Sequence, residues 1–504
     1  MDKRMLAAII LTFAILIGYQ YFYAQFAPPP APQQQTATTE APKPAASPAV
    51  TIPASAIPGE EQEVKVDTEL YTATFSSRGA TLKGIELKSY KDKAGKPIVL
   101  RGDAVLPALA IGTDDRFQFS QANFAVARKE VRLGPMAQEG SLTFDYVAEG
   151  FSIRRTYTFS NKNYGFNLRD EVKGLDAYWI TLGKDFGIYE KDDSVHFGPV
   201  VLRDAERTEF KTKDLKDPKS FREGIKWIAQ EDKYFFSSIV LRTAAQEARA
   251  WAKGPDAFVG LKMPAGVSDY YVYAGPKEYD RLKALGFGLE HIVDFGFFSI
   301  LARPLFWFLK ILYSVFHNYG VAIILLTIIV RIPFLPLIAK GQKSMRKLQE
   351  VQPRMAEIRE KYKSDPQRMQ REIMELYKKN KVNPMGGCLP MVLQIPVFFA
   401  LYKVLLIASE LRDAPFMFWI QDLSTKDPYY ILPVVMGITM VIQQKMTPSN
   451  MEPMQQKMMM ALPIVFTFMF LSFPSGLVLY WLVNNLLSIG QQFVMNRKLK
   501  AEAA

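Results

Sequence analysis

The hydrophobic residues of this chain follow two different periods. From residue 61 to about residue 285, apolar and polar positions alternate, as at Leu142, Phe144 and Tyr146, which are separated by polar residues. A period of two is typical of strands with one buried face. Because such runs recur between turns rich in Asn, Asp and Gly, residues 61–285 are predicted to form a large antiparallel β-sandwich.

Beyond residue 286 the pattern changes to long uncharged runs. About 20 consecutive apolar residues suffice to cross the hydrocarbon core of a bilayer. Including the N-terminus, six spans are predicted, at 1–26, 319–340, 388–409, 428–445, 458–473 and 475–496. The uncharged runs of the fourth and fifth are short, at seventeen and fifteen residues, which would thin the bilayer locally. The chain is therefore predicted to be a multi-pass α-helical membrane protein with five spans after its β-domain.

The first span begins the chain. Met5–Phe26 carries no charge and follows Lys3 and Arg4, which favours an uncleaved signal anchor with a cytoplasmic N-terminus. The residues two positions before Ala24 and Ala27 are Phe and Gln, which suits a signal peptidase poorly. A cleaved signal peptide is the alternative.

The remaining segments connect these domains. They are predicted to be a Pro/Ala-rich linker at 27–60, an interfacial amphipathic helix region at 286–318, a basic cytoplasmic helical hairpin at 341–387, a periplasmic connection at 410–427, a cytoplasmic loop at 446–457 and a cytoplasmic tail at 497–504. In the region 286–318, charged residues such as Asp294 and Lys310 alternate with aromatic ones such as Trp307. An ordinary helix packed against the β-domain would show the same mixture.

The distribution of charge sets the orientation. Between Lys340 and Pro384 there are 13 Lys/Arg and 6 Asp/Glu, a net charge of +7 in a chain of net charge +12. Six crossings place the N-terminus, the hairpin, the loop 446–457 and the tail on one side, which the positive-inside rule assigns to the cytoplasm. The β-domain then lies outside, in the periplasm of a cell with two membranes. The basic hairpin would attract lipid headgroups, and also ribosomal RNA or a translocation partner.

The composition argues against an enzyme. There is one cysteine, Cys388, and the three histidines lie far apart in the sequence, which argues against a disulfide framework or a metal centre. Phosphate-binding loops of the GxxxxGK[ST] type, HExxH helices and GxSxG elbows are absent from the sequence. No cofactor is predicted.

Arg331 is the most informative residue in the predicted spans. It lies about seven residues, or roughly 10 Å, from the cytoplasmic end of its span. An arginine at such depth costs about 2.5–3.5 kcal/mol even on lenient scales, so it should face water or a partner. The five C-terminal spans contain no Asp or Glu to neutralise it. Snorkelling to the headgroups is the alternative.

Polar residues recur at helical spacing in the other spans. Thr327 precedes Arg331 by one turn, Gln394 adds an amide, and Thr439 and Gln443 are four residues apart. Tyr480, Asn484 and Ser488 follow the same spacing in the last span. If these faces converge, they form a wet cavity with one positive charge, suited to something acidic from outside the protein. Hydrogen bonds that merely join helices are the alternative reading of each residue alone.

Three motifs in this part of the chain carry a resemblance. They are Asn383–Pro390 (NPMGGCLP), Asp427–Pro433 (DPYYILP) and Phe473–Tyr480 (FPSGLVLY). They resemble the YidC membrane protein insertases of Gram-negative bacteria over roughly residues 290–500. The signal anchor and large exported β-domain also fit that subgroup.

The resemblance implies a five-helix core around a hydrophilic groove, open to the cytoplasm and to lipid but closed to the periplasm. It implies that Arg331 is the groove arginine and that Thr327, Gln394 and Trp481 are further groove positions. Trp481 stands where some relatives have a second tyrosine after Tyr480. Nascent membrane proteins are the implied partners, with the Sec translocon for larger clients. The ribosome would bind through 341–387 and 446–457, since the tail is short.

Two other functions are compatible with parts of the pattern. A transporter or lipid scramblase could use the same cavity, but the sequence lacks an evident internal repeat or paired titratable residues. A membrane-anchored carbohydrate enzyme could use the β-sandwich, which the resemblance likens to sugar mutarotases. Such an enzyme would need neither Arg331 nor five further spans.

Overall fold

The computed structural model describes residues 60–92, 94–102, 106–190, 195–380, 389–446 and 453–503. The predicted N-terminal span, most of the linker, the end of the hairpin and part of the loop 446–457 lie outside these residues.

The β-domain occupies the first half of the described chain. Its strands are β1 Glu63–Asp67, β2 Tyr71–Ser76, β3 Thr81–Lys91, β4 Pro97–Arg101, β5 Ile111–Gly112, β6 Ala125–Val126, β7 Glu130–Arg132, β8 Glu139–Ala148, β9 Phe151–Ser160, β10 Gly165–Thr181, β11 Gly198–Arg203, β12 Glu206–Glu209, β13 Lys219–Phe221, β14 Ile225–Glu231, β15 Phe235–Leu241, β16 Glu247–Lys253 and β17 Asp256–Pro276.

Two sheets form a sandwich. One has the order β4-β3-β2-β1-β7, antiparallel except for the parallel pair β1 and β7. The other has the order β12-β11-β14-β15-β17-β10-β9-β8-β6, with β5 beside β10 and the pair β13 and β16 beside β17. Phe75 of the first sheet packs against Phe144, Tyr157 and Phe166 of the second. The predicted β-sandwich is confirmed.

The alternation of the sequence also places a charge in this core. Arg155 shares the inward face of β9 with Ile153 and is fully buried. Its Nε donates to Asp170 Oδ1 at 2.9 Å, and Nη1 donates to the Leu109 carbonyl at 2.6 Å. A buried arginine of this kind is tolerated because a carboxylate and carbonyls replace its hydration.

Helices form the second half. They are α1 Tyr279–Ala284, α2 Ser299–Phe316, α3 Tyr319–Arg331, α4 Leu335–Glu350, α5 Gln352–Lys361, α6 Pro366–Lys379, α7 Leu389–Ile407, α8 Ile431–Met446, α9 Pro453–Phe470 and α10 Ser475–Ala503. α3 packs against α2 and α10, α2 also against α7, and α8 against α9 and α10.

Two of these helices extend beyond the predicted spans. α9 begins at Pro453, five residues before the predicted start, because the fixed φ of proline suits the first turn of a helix. α10 runs through the predicted tail to Ala503, since Arg497, Lys498 and Lys500 are good helix formers and basic residues are favourable near a helix C-terminus. The turn between the two helices falls where the sequence predicts it.

The helices differ in their fitness to cross a membrane. Ser299–Phe316 and Tyr319–Gly341 are long and apolar enough, whereas Gln394–Ile407, Ile431–Met446 and Met459–Phe470 are shorter apolar helices. Ser299–Phe316 is α2, which the sequence predicts to be interfacial. Exposed apolar residues such as Ile300 and Trp307 cover one side of it. The count of six spans stays a prediction.

The basic segment folds back on itself. α6 begins after Asp365, whose side chain accepts a hydrogen bond from the Arg368 amide and so caps the start of the helix. Leu348, Val351 and Met355 pack against Leu376 and Tyr377 in a small core of their own.

The β-domain contacts the helices through polar side chains. Arg412, after α7, donates from Nη2 to the Lys91 carbonyl at 2.8 Å and lies over the ring of Phe235. Lys403 of α7 also lies 3.6 Å from Asp294, in the segment that follows the β-domain. Burial alone would raise the pKa of Asp294, but the charges of Lys403 and Arg207 hold it below its usual value.

Candidate functional site

Arg331 is the centre of the candidate site. It is the last residue of α3 and is only 8% exposed. Pro333, which lacks an amide hydrogen, lies in the short 3-10 turn that follows. The helix thus changes its winding directly after the one charged residue of α3.

The side chain of Arg331 reaches across to α10. Nη1 donates to the backbone carbonyl of Asn484 at 3.0 Å and also to its Oδ1. Nη2 donates to Ser488 Oγ at 2.7 Å and contacts Gln491 Oε1 at 3.5 Å. All four acceptors are neutral oxygens, so they satisfy hydrogen-bond donors of the guanidinium without cancelling its charge.

Gln394 connects a third helix to this cluster. Its Nε2 donates to Asn484 Oδ1 at 3.1 Å. Oδ1 of Asn484 therefore accepts from both Gln394 and Arg331, which fixes the direction of the amide. Side chains from α3, α7 and α10 meet at one polar centre, and the sequence-predicted Arg331, Gln394 and Asn484 are brought together here.

One donor of Arg331 is left over. Its Nε is buried and makes no hydrogen bond within the described residues. A buried donor without a partner costs about 1–3 kcal/mol, so a group that supplied an acceptor would be favoured at this position. The unused donor and the uncancelled charge both suit an anionic oxygen.

Thr327 and Gln443 occupy other places. Thr327 is buried one turn before Arg331, and its hydroxyl donates to the Ile323 carbonyl of its own helix at 2.6 Å. Gln443 is half-buried on α8. Thr439, one turn before it, accepts a hydrogen bond from Asn485 Nδ2 at 3.2 Å. α10 thus contacts Arg331 with one face and α8 with the next.

Tyr480 and Trp481 belong to an aromatic layer. The Trp481 ring lies 4.8 Å from that of Phe398 in a perpendicular arrangement and 5.1 Å from that of Phe470. Tyr480 is buried and stacks on Phe398 at 6.3 Å. Because both precede Asn484 by about one turn, this layer covers the end of the polar cluster nearer to Ser475.

Beyond the aromatic layer, backbone hydrogen bonds join the start of α10 to the segment before α8. The amide of Ser475 donates to the Thr425 carbonyl at 2.7 Å, and that of Gly476 donates to the Leu423 carbonyl at 2.9 Å. The start of α10 is thereby joined to the connection 410–427. This junction lies at the Ser475 end of α10, whereas Ser488 and Gln491 lie farther along the helix.

The sequence analysis did not single out two residues: Gln491, which contacts Arg331, and Asn485, which joins α10 to α8. Gln491 continues the row of Asn484 and Ser488 after seven residues, so helical spacing could have found it. Asn485 gave no such signal, because its partner lies on α8. Within the described residues there is no group of three or more His, Cys, Asp or Glu that could hold a metal ion.

Comparison with known proteins accounts for nearly the whole chain. The model of the 60Kd inner membrane protein family matches residues 311–502, and the YidC periplasmic domain model matches residues 63–308. The membrane protein insertase YidC of Geotalea daltonii is 42% identical over 99% of this chain and 100% of its own length. That of Geobacter sulfurreducens is 41% identical over the full length of both.

The chain belongs to the YidC membrane protein insertase family. The resemblance seen in the three motifs is thereby confirmed. As a YidC family member, the protein is an inner membrane protein with a periplasmic domain, the β-sandwich described above.

Solved structures give more distant similarities. A crystal structure of an active YidC insertase with its first transmembrane domain resolved is 18% identical, with a TM-score of 0.39, covering 86% of this chain and 92% of that one. A galactose mutarotase-like protein from Lactobacillus casei is 12% identical, with a TM-score of 0.30, covering 42% of this chain and 99% of that one.

Proposed function

We propose that the protein inserts membrane proteins into the inner membrane and helps them to fold and assemble, alone or with the Sec translocon. The relatives named above carry the name membrane protein insertase. The site of this activity is a hydrophilic groove inside the membrane whose one fixed charge is Arg331. The chemistry is transfer and partition rather than catalysis, and it requires no cofactor.

The single observation that supports this groove is the surroundings of Arg331. Its guanidinium is buried among neutral oxygens from three residues of α10, and Nε has no partner within the described residues. The charge is therefore stabilised but available. An acidic residue on the hydrophilic flank of a nascent chain would supply both the missing acceptor and the missing counter-charge.

The mechanism starts at the cytoplasmic side. A hydrophobic segment of the client slides along the spans that carry Thr327 and Trp481, and its short flank enters the groove. The flank meets Gln491 and Ser488 first and Arg331 next, where its carboxylate is held briefly. Hydrogen bonds in this low dielectric are stronger than in water, so the flank crosses at a lower cost than through lipid.

Release is driven by the client itself. Each Leu or Ile that moves into the bilayer contributes about 0.3–0.6 kcal/mol. The membrane potential moves an acidic flank outward with about 2.3 kcal/mol per charge per 100 mV. The neutral partners of Arg331 favour this step, because they keep the guanidinium hydrogen-bonded after the carboxylate leaves.

Partners on the cytoplasmic side would use the basic hairpin. α4, α5 and α6 fold as a separate small unit around Met355, and basic residues such as Arg354 are exposed. We propose that this unit and the loop 446–457 receive the ribosome and anionic lipids. Gln443 would then line the route from the loop into the groove.

The test is insertion by the purified protein alone. Proteoliposomes with wild type, Arg331→Ala, Arg128→Ala or no protein receive a single-span substrate with a short acidic flank, and protection of the flank from protease is measured. Wild type and the control Arg128→Ala, at an exposed arginine of the β-domain, should insert the substrate above empty vesicles. Arg331→Ala should insert about tenfold less, equivalent to about 1.4 kcal/mol. Full activity of Arg331→Ala would exclude the electrostatic role.

A further inference from the structure

The connection after α7 is a folded cap rather than a simple loop. Asp427 is buried at its centre, and Oδ1 accepts from Trp419 Nε1 and from the Tyr429 amide, both at 3.0 Å. Oδ2 accepts from the Leu432 amide at 2.7 Å. One carboxylate thus joins Trp419, Tyr429 and the start of α8 in a fixed arrangement.

The turn next to Trp419 presents an apolar side chain to the outside. The Phe416 amide donates to the Ile420 carbonyl at 3.0 Å, and the Ile420 amide donates to the Met417 carbonyl at 3.2 Å. Between them Phe418 has φ 54° and is 79% exposed. A left-handed φ is costly for a bulky residue, and exposure of a phenyl ring to water adds to the cost.

Two tyrosines stand beside this turn. Tyr429 is 68% exposed, and Tyr430 is 40% exposed and also has a positive φ of 58°. The Lys426 ammonium lies 5.9 Å from the centre of the Tyr430 ring. Amphipathic rings beside a cation are the side chains that membrane interfaces favour.

This aromatic group continues an apolar face of α8. Ile431, Val434, Val435, Ile438 and Ile442 are exposed at helical spacing directly below the tyrosines. In an inner membrane protein such a face contacts lipid. α8 has 16 residues, or about 24 Å, less than the roughly 30 Å of a hydrocarbon core. Where the bilayer is thinned to match α8, its boundary falls close to Tyr429 and Tyr430.

We propose that Phe418, Tyr429 and Tyr430 form an aromatic anchor in the headgroup–acyl boundary of the outer leaflet. The anchor fixes the level at which the short helix α8 leaves the membrane, and Lys426 lies at the height of the lipid phosphates. In lipid the Phe418 ring is buried, and the free energy of this burial offsets the cost of the left-handed backbone conformation of Phe418. This role goes beyond insertion and does not depend on a client.

The test places a fluorescent label at the anchor. In the full chain with Cys388→Ser, Phe418→Cys or Tyr429→Cys is labelled with the environment-sensitive dye NBD and reconstituted in nanodiscs of anionic and zwitterionic phospholipid. Met136→Cys is the control, since Met136 is a fully exposed apolar residue in a turn of the β-domain. Quenching by iodide in water is compared with quenching by lipids that carry a shallow or a deep nitroxide.

The anchor predicts that labels at 418 and 429 emit at shorter wavelength than the label at 136. It also predicts at least threefold weaker iodide quenching at these two positions and preferential quenching by the shallow nitroxide. Because the side chains of Phe418 and Tyr429 are both exposed, replacing either one should leave the fold intact. The two labelled variants therefore report the depth of the anchor independently. Iodide quenching at 418 and 429 equal to that at 136 would overturn the proposal, whatever the insertion activity, and would leave this face to a protein partner.

Discussion

At the scale of single residues, Asn484 and Asn485 are neighbours with different contacts. Asn484 accepts from Arg331 and Gln394, whereas Asn485 donates to Thr439 of α8. The two asparagines therefore form a matched pair, one in the charged cluster and one in helix packing.

Asn484→Asp should neutralise the groove without removing Arg331. The new carboxylate would lie where Oδ1 already accepts from the guanidinium. An internal ion pair with Arg331 would then replace the ion pair between Arg331 and the acidic flank of the client. Insertion of an acidic-flanked substrate should fall about tenfold, equivalent to about 1.4 kcal/mol, while the protein stays folded. The measurement is the initial rate of flank protection in proteoliposomes, with folding checked by thermal unfolding.

The control variant is Asn485→Ala. Loss of its bond to Thr439 should lower the free energy of unfolding by about 1 kcal/mol but leave the preference for acidic flanks unchanged. Wild-type insertion by folded Asn484→Asp would show that the charge of Arg331 is not used by the client.

Part of this cluster could be predicted from single residues. An arginine without a carboxylate in its span indicates a wet site, and the spacing of Asn484 and Ser488 places them on one face. The sequence could not separate Asn484 from Trp481, since residues three apart on a helix can contact different neighbours. Which neighbour each one contacts depends on α3, α7 and α9, whose positions are set by tertiary packing.

At the scale of helices, close packing depends on two kinds of glycine. A Cβ at Gly437 of α8 would lie 2.0 Å from Thr467 Oγ1 of α9, whereas a Cβ at Gly490 of α10 would meet nothing within 4 Å. The first glycine permits two helices to approach, and the second has open space.

Gly437→Leu should destabilise the protein by about 1–3 kcal/mol, because the added side chain forces α8 and α9 apart. Gly490→Leu should be neutral or slightly stabilising, since leucine favours helix more than glycine does. Unfolding in detergent, followed by tryptophan fluorescence, compares the two. Equal stability of both variants would contradict the close packing at Gly437.

Helix existence was easier to predict than helix ends. Uncharged runs indicate where α3, α7 and α8 lie, but α10 continues for seven residues beyond its apolar part. Hydrophobicity predicts which part of a helix lies in the bilayer, whereas helix propensity and the charges near the C-terminus decide where the helix ends. The cap around Asp427 was predicted only as a connection, because its contacts with Trp419, Tyr429 and Leu432 follow no regular helix or strand spacing.

At the scale of the whole molecule, the β-domain is fastened to the helices at Arg412. Arg412→Ala removes the hydrogen bond to the Lys91 carbonyl and the contact with Phe235. Amide hydrogen exchange at the end of β3 should become severalfold faster, since opening there loses an interaction of about 1 kcal/mol. Insertion in proteoliposomes should be retained, because Arg331 makes its contacts elsewhere.

Arg303→Ala is the matched control, since Arg303 is an exposed arginine of α2. Exchange in β3 should not change in this variant. If Arg412→Ala also left exchange in β3 unchanged, the contact would not hold the two parts together.

The most direct test of the groove varies the charge on both sides of the contact. Initial insertion rates are measured for two substrates that differ only by Asp→Asn in the flank, with wild type and with Arg331→Ala. If the guanidinium contacts the flank directly, Arg331→Ala slows the acidic substrate about tenfold and the neutral one much less, so that the two substitutions are not additive. An equal loss for both substrates would contradict a direct interaction between Arg331 and the client.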